Sequence, residues 1–238
     1  MRSILTGAMA IVCTCAAVAQ TFEAASIHPN LSGTEGSVID LEPTGRLKVT
    51  NSSLKTLIRA AYGIQNDQIV GGPKWLDTDR YDIDGKTIGK ISSDQEQPLM
   101  QNLLADRFRL KVHKERRELT VYVMELAKNG PLFKQSTSAS SAIHNNRGLG
   151  KSQISCVKIS IPQFAGMLAK QIGRGVIDKT GLRGEYDFSL EFDPEQTPDS
   201  TVPSVFAALQ EQMGLRLESQ KGMVDVLVID NAEKASAN

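Results

Sequence analysis

The amino-acid sequence predicts an α+β fold of two tandem βαββαββ units, each with two helices packed on a small sheet. Three observations predict it. Short stretches of apolar and polar alternation are interleaved with segments whose apolar residues recur at helical spacing. The same order of elements occurs twice along the chain. Glycine and proline punctuation falls between the elements, where turns and helix ends require it. The composition agrees: 238 residues, 40% hydrophobic, 23% charged and 5% aromatic describe a globular chain, neither disordered nor fibrous.

In the first unit, Leu47 and Val49 alternate with polar residues as a strand, and Ser53 opens a helix in which Leu54, Leu57, Ile58 and Ala61 share one face. Ser53 can cap that helix, and Gly63 suits its left-handed stop. Gly71-Gly72-Pro73-Lys74-Trp75 forms a turn before the strand Arg80-Tyr81-Asp82-Ile83-Asp84. Pro98 to Asp106 reads as a second helix, with Leu99, Leu103 and Leu104 on one face. Phe108, Leu110 and Val112 then alternate, a turn is expected at Arg116-Arg117, and Leu119 to Leu126 closes a hairpin.

The second unit repeats the order. Val157, Ile159 and Ile161 alternate, and Pro162 stands in the first turn of a helix carrying Phe164, Met167, Leu168 and Ile172 and ending at Gly173. The turn Lys179-Thr180-Gly181 precedes the strand Glu185 to Phe192. Val205, Phe206, Leu209 and Met213 mark the last helix, stopped by Gly214, and Leu215 to Glu218 with Val224 to Ile229 make the final hairpin. Anchors pair across the units: Gly63 with Gly173, Tyr81-Asp82 with Tyr186-Asp187, Phe108-Arg109-Leu110 with Leu215-Arg216-Leu217, and Val121 and Val123 with Val224 and Val226. The expected boundaries are 1–19 for a signal peptide, 20–132 for the first repeat, 133–153 for a linker rich in Ser, Asn and Gly, 154–234 for the second repeat and 235–238 for a tail. Gly85 to Gln97 and Pro194 to Pro203 read as further loops.

The N-terminus sets the expected compartment. Met1-Arg2 is a positive start, Ile4 to Val18 is apolar, and Ala17-Val18-Ala19 offers the small residues of a cleavage site, so export to the periplasm or beyond is expected. No segment reaches the ~20 apolar residues of a membrane span. Cleavage removes Cys13 and Cys15, leaving Cys156 alone, which reads as a small buried hydrophobe. Lys+Arg and Asp+Glu balance at 27 each, which excludes the basic footprint of a nucleic-acid binder.

Chemistry is sparse. His28, His113 and His144 show no metal-ligand spacing, and no nucleophile elbow, phosphate loop or dinucleotide fingerprint occurs, so no metal and no cofactor is expected. Asp178-Lys179-Thr180-Gly181 matches the phosphorylated motif of ion-pumping ATPases, but nothing else in the chain supports it. Ser52-x-x-Lys55 with Lys179-Thr180-Gly181 mimics two of three motifs of penicillin-binding serine enzymes, yet the middle motif is missing. Asp82, Asp178, Glu185 and Asp187 are acids near equivalent strands, where solvation or pairing with Arg80 and Arg183 competes with acid–base work.

Phe22-Glu23-Ala24-Ala25-Ser26-Ile27-His28-Pro29-Asn30, Gly71 to Trp75 with Arg80 to Ile83, Leu103 to Phe108, Val176 to Leu182 and Tyr186-Asp187-Phe188 together resemble an exported family expanded in soil bacteria, domain of unknown function 3738. The resemblance spans the mature chain and implies export, with no activity attached. Each half also resembles the short N-terminal domain of secretins and TonB-dependent receptors, periplasmic docking modules, a likeness at fold level only. The expected function is a non-enzymatic binding or docking module for an envelope protein, a peptide or a glycan fragment. Its candidate ligand residues are Trp75, Tyr81, Asp82, Tyr186 and Asp187, around a groove between the halves or along sheet edges. The competing expectation is a hydrolase of cell-envelope or polysaccharide material acting through the acids above or through Ser52 and Lys55.

Overall fold

The computed structural model describes residues 21–34, 36–148, 150–195 and 200–235. The expected signal peptide, with Cys13 and Cys15, and residues 236–238 of the expected tail lie outside them. Among the described residues no helix is long and apolar enough to cross a membrane.

The fold is α+β. In the first half, strands β1 (Ala24–Pro29), β2 (Val38–Leu41) and β3 (Arg46–Ser53) lead directly into helix α1 (Leu54–Tyr62). Ser53 accepts a hydrogen bond from the Thr56 N–H, and Gly63 ends the helix at φ 64°, as the sequence predicts. Strand β4 (Ile69–Gly71), the single-turn helix α2 (Trp75–Thr78), strand β5 (Arg80–Lys86), helix α3 (Ser93–Arg107) and strand β6 (Lys111–Leu126) follow. Gly72, at φ 79°, lets β4 turn into α2: a Cβ there would lie 2.4 Å from the Leu76 side chain. The second half carries β7 (Lys134–Gln135), β8 (Ala142–Gly148), β9 (Lys151–Ser160), α4 (Ile161–Ile172), β10 (Val176–Asp178), β11 (Glu185–Phe192), α5 (Val205–Ala208), a π-helical turn Leu209–Met213, and β12 (Leu215–Asn231).

These strands form three sheets, ordered β1-β5-β3-β2, β7-β11-β9-β8 and β10-β6-β12-β4. The third sheet joins the halves. β6 and β12 run antiparallel from Leu215 opposite Leu126 to Asn231 opposite Lys111. β4 of the first half lies parallel to β12 of the second, and β10 of the second lies parallel to β6 of the first.

Pairing registers match between the halves. Val49 faces Ile83 and Ser52 faces Tyr81 across a bulge, while Cys156 faces Phe188 and Ile159 faces Tyr186 across another. Val38 opposite Thr50 matches Ala142 opposite Val157. Pro29 opposite Tyr81 matches Gln135 opposite Tyr186. Ile69 opposite Leu227 matches Val176 opposite Tyr122.

Several expectations are corrected here. The hairpin turn at Arg116-Arg117 does not form, nor does the one between Glu218 and Val224: β6 and β12 are continuous strands of 16 and 17 residues. Paired across a central ribbon, these polar stretches satisfy their backbone groups against each other, so they do not need to turn. The segment 133–153 is not a featureless linker, since it forms β7, β8 and the start of β9, which occupy the places of β1, β2 and β3. Helix α3 begins at Ser93 rather than Pro98, with a capping box between Ser92 and Gln95. The anchors on the last strands shift by two residues. Arg109 and Gly214 share the left-handed conformation after the helix (φ 48° and 66°), which matches Leu110 with Leu215 and Val121 with Val226.

Two apolar clusters result, and each takes residues from the other half. Leu54, Leu57, Ile58, Leu104 and Phe108 pack with Leu227 and Ile229 of β12, and Phe164, Leu168, Leu190 and Phe192 pack with Met124 of β6. Burying a side chain of this size contributes about 1.5–3 kcal/mol, so neither interior is complete without the exchanged strand.

Candidate functional site

The bulge in β3 is the local feature that organises a cavity in the first half. Asn51 sits there at φ 52°, a left-handed conformation that asparagine tolerates better than most residues. Turning the backbone this way aims the Asn51 N–H at Asp82 Oδ1 on β5, 2.8 Å away. The Asn30 amide donates to both oxygens of the same carboxylate, at 2.8 and 2.9 Å. Asn30 Oδ1 in turn accepts from the Ser32 N–H and hydroxyl, and Asn51 Nδ2 donates to the carbonyls of Thr34 and Gly36. Asp82 is therefore the centre of a network that pins both ends of the loop crossing from β1 to β2. Between that loop and the tops of β3 and β5 lies a cavity of about 630 Å³, bordered by Asn30, Leu31, Asn51, Thr78 and Arg80, a size within the range of small-ligand sites.

The second half repeats the backbone device with other side chains. Lys158, at φ 56°, donates its N–H to Asp187 Oδ1 at 2.8 Å, and its Nζ reaches the Ala139 carbonyl at 3.1 Å.

The five sequence-predicted residues are not brought into one groove. Asp82 and Tyr81 belong to the first sheet, and Asp187 and Tyr186 to the second. Tyr81 is 2% exposed and meets Phe108 edge to face at 5.0 Å; burial, and then the charge of Asp79, raise its phenol above the usual value. Tyr186 packs edge to face on Phe133 and donates its hydroxyl to the Arg183 carbonyl. Trp75 packs against the first cluster, with Lys234 Nζ 5.8 Å from its ring centre. The pairing of the acids with Arg80 and Arg183 is replaced by amide and backbone donors: Asp82 is held as described, and Asp178 Oδ1 accepts from the Thr180 N–H and hydroxyl.

The serine and lysine of the Ser-x-x-Lys match are apart in function. Ser52 is fully buried and hydrogen-bonded to Ser37, while Lys55 pairs with Asp77 at 3.1 Å. Cys156 is buried, and desolvation pushes its thiol up to about 11, so it is protonated and inert near neutrality. His113 lies 2.8 Å from Asp230 and 3.1 Å from Glu115 on the open surface, and those partners, Asp230 first, raise its imidazole above the usual value. No group of three or more His, Cys, Asp or Glu side chains is placed to hold a metal ion among the described residues.

One edge is open. β8 is hydrogen-bonded to β9 on one side only, and six of its seven residues are exposed. By contrast, the outer edge of β11 is closed by Gln212, whose amide accepts from the Glu191 N–H at 2.9 Å and donates to its carbonyl at 2.8 Å.

Asn30, Asn51 and the free Arg80 were not legible as site residues. An asparagine directly before a Ser-Ser helix cap is the local signal that marks the left-handed turn.

A family model described as Protein of unknown function (DUF3738) matches residues 55–232, roughly three-quarters of the chain. Neither the curated proteins nor the solved structures contain a match.

Proposed function

We propose that this chain, which belongs to the DUF3738 family, is an exported, non-enzymatic docking module built by duplication of one unit. Export rests on the signal-peptide pattern of residues 1–19. Duplication rests on the matched strand registers, the paired bulges at Asn51 and Lys158, and the paired helix stops at Gly63 and Gly173. The unit is βββαββαβ with a single long last strand, in place of βαββαββ, and the second copy starts at β7.

The observation that carries the docking role is the open edge of β8. A strand paired on one side presents a row of unused backbone donors and acceptors, and an extended peptide completes it by strand addition. Ile143, His144, Asn145 and Arg147 are all exposed on it and would read alternate side chains of the added segment. The partner in this reading is an extended segment of another envelope protein.

The test uses the full mature chain immobilised against an envelope extract, followed by hydrogen exchange on the retained complex. Protection confined to Ala142–Gly148, together with loss of capture in Asn145→Lys, is expected, because a charged side chain on an edge disfavours pairing. Capture unaffected by that substitution, or turnover of a cell-wall or polysaccharide substrate by the purified protein, would overturn the reading.

A further inference from the structure

The cavity above β3 and β5 is lined by residues of the first half and by none of β8, and its chemistry is independent of strand addition. Its charged wall is Arg80, whose side chain has no hydrogen-bond or ion-pair partner among the described residues. Its other polar wall is neutral: Asn30 and Asn51 are committed to Asp82 and the loop, and Thr78 donates its hydroxyl to Asp79 at 3.1 Å. Leu31, 93% exposed, stands on the rim. The loop is held at both ends by hydrogen bonds, so the cavity is formed before a ligand arrives and little ordering is required on binding.

From these features we infer that the cavity binds a singly charged carboxylate through Arg80, with a small apolar arm of the ligand resting against Leu31. A guanidinium presents two parallel N–H donors that match the two oxygens of a carboxylate. Charge selects against a dianion. Among the described lining residues Arg80 is the one cation, and the Asp82 carboxyl group sits behind the wall on Asn30 and Asn51, so a second negative charge on the ligand would have no further cation there to offset it. Neutral ligands are disfavoured for the opposite reason, since they leave the guanidinium fork unmatched. Two sources supply the chemistry, a peptide C-terminus and a uronic acid sugar.

Calorimetric titration of the full mature chain with N-acetyl-alanyl-alanine, its C-terminal amide and galacturonate tests the inference. Saturable binding of the free acid is expected, with the amide weaker by about tenfold or more. Arg80→Gln should lose a similar factor, Arg80→Lys should fall between, and Arg59→Gln, a cation on another surface, should bind as the parent does. Because the Arg80 side chain has no partner, its variants should keep the parent's thermal midpoint, which separates loss of binding from loss of fold. Binding of galacturonate with the same dependence on Arg80 supports the site and identifies the sugar as its source. Equal binding of acid and amide, undiminished binding by Arg80→Gln, or no saturable binding of either carboxylate at millimolar concentration would overturn it.

Discussion

The two halves solve one backbone problem with different side chains. In each, a strand bulges just before a capped helix, and the bulge N–H bonds an aspartate of the next strand at 2.8 Å. In the first half that aspartate also takes the Asn30 amide, and the bulge asparagine ties down a loop that roofs a cavity. In the second half the bulge residue is Lys158, whose Nζ reaches the Ala139 carbonyl at 3.1 Å and Glu185 at 4.0 Å, and the edge strand β8 is longer and more exposed than its counterpart β2. The backbone geometry thus recurs in both halves, whereas the side chains around it differ. Tyr81-Asp82 and Tyr186-Asp187 are alike in sequence because both serve the bulge and the core.

The largest effect should come from the exchanged strands. Met124→Ala removes a buried side chain that the first half lends to the second, and is expected to cost about 2–5 kcal/mol. Because the central sheet couples both clusters, urea unfolding should remain a single transition with a lowered midpoint; two separated transitions would break the comparison by showing independent halves.

A smaller and unequal effect is expected at the paired aspartates. Asp82→Ala leaves the Asn30 amide and the Asn51 N–H without their acceptor and should cost about 2–3 kcal/mol, while Asp187→Ala orphans one N–H and should cost about 1 kcal/mol. Equal losses by denaturant titration would mean that the Asn30 network contributes nothing.

The bulge residues should respond with opposite signs. Lys158→Gly relieves a left-handed lysine and should stabilise by up to about 1 kcal/mol, since the lost Nζ contacts to Ala139 and Glu185 lie at the surface. Asn51→Gly relieves less strain and removes two loop-pinning hydrogen bonds, so a net loss of about 1 kcal/mol is expected. The same sign for both would place the loop network outside the energetics.

The smallest effect is a pH dependence on the open face of the central ribbon. His113 in the first half is held by Asp230 and Glu115, whereas Glu218, at the matching position, pairs with Arg216. The folded imidazole titrates above its unfolded value. Its contribution is fully present below the unfolded pKa of about 6.5 and lost as pH rises through the raised folded value. His113→Asn should flatten stability across that window, and Glu218→Gln should not; an unchanged slope in His113→Asn would contradict the assignment.

Local chemistry was legible from sequence wherever burial or capping left a mark. Ser53, Gly63, Gly173 and Gly214 announced the helix ends, and the apolar faces of α1 and α4 announced the cores. What escaped shares one physical cause. The middle of β6, from Lys114 to Glu118, and the strand β8 are exposed apart from the half-buried Glu115 and Ala142, so nothing selects apolar alternation there, and they read as turn and linker. The exchange of strands between halves is a long-range fact with no local trace. The cavity was missed because Asn30, Asn51 and Arg80 are distant in sequence and meet only through the register of β1, β3 and β5.

The interlocked central sheet is tested most directly by cross-linking it. In a Cys156→Ser background, the pairs Glu118→Cys with Met223→Cys and Arg117→Cys with Val224→Cys place thiols at directly opposed positions of β6 and β12. Opposed residues of antiparallel strands lie about 4.5–5.5 Å apart, within disulfide reach. The account predicts that mild oxidation closes at least one of these pairs within a single chain while the fold is retained. Oxidation that yields only free thiols or cross-links between separate chains, for both pairs, would contradict it.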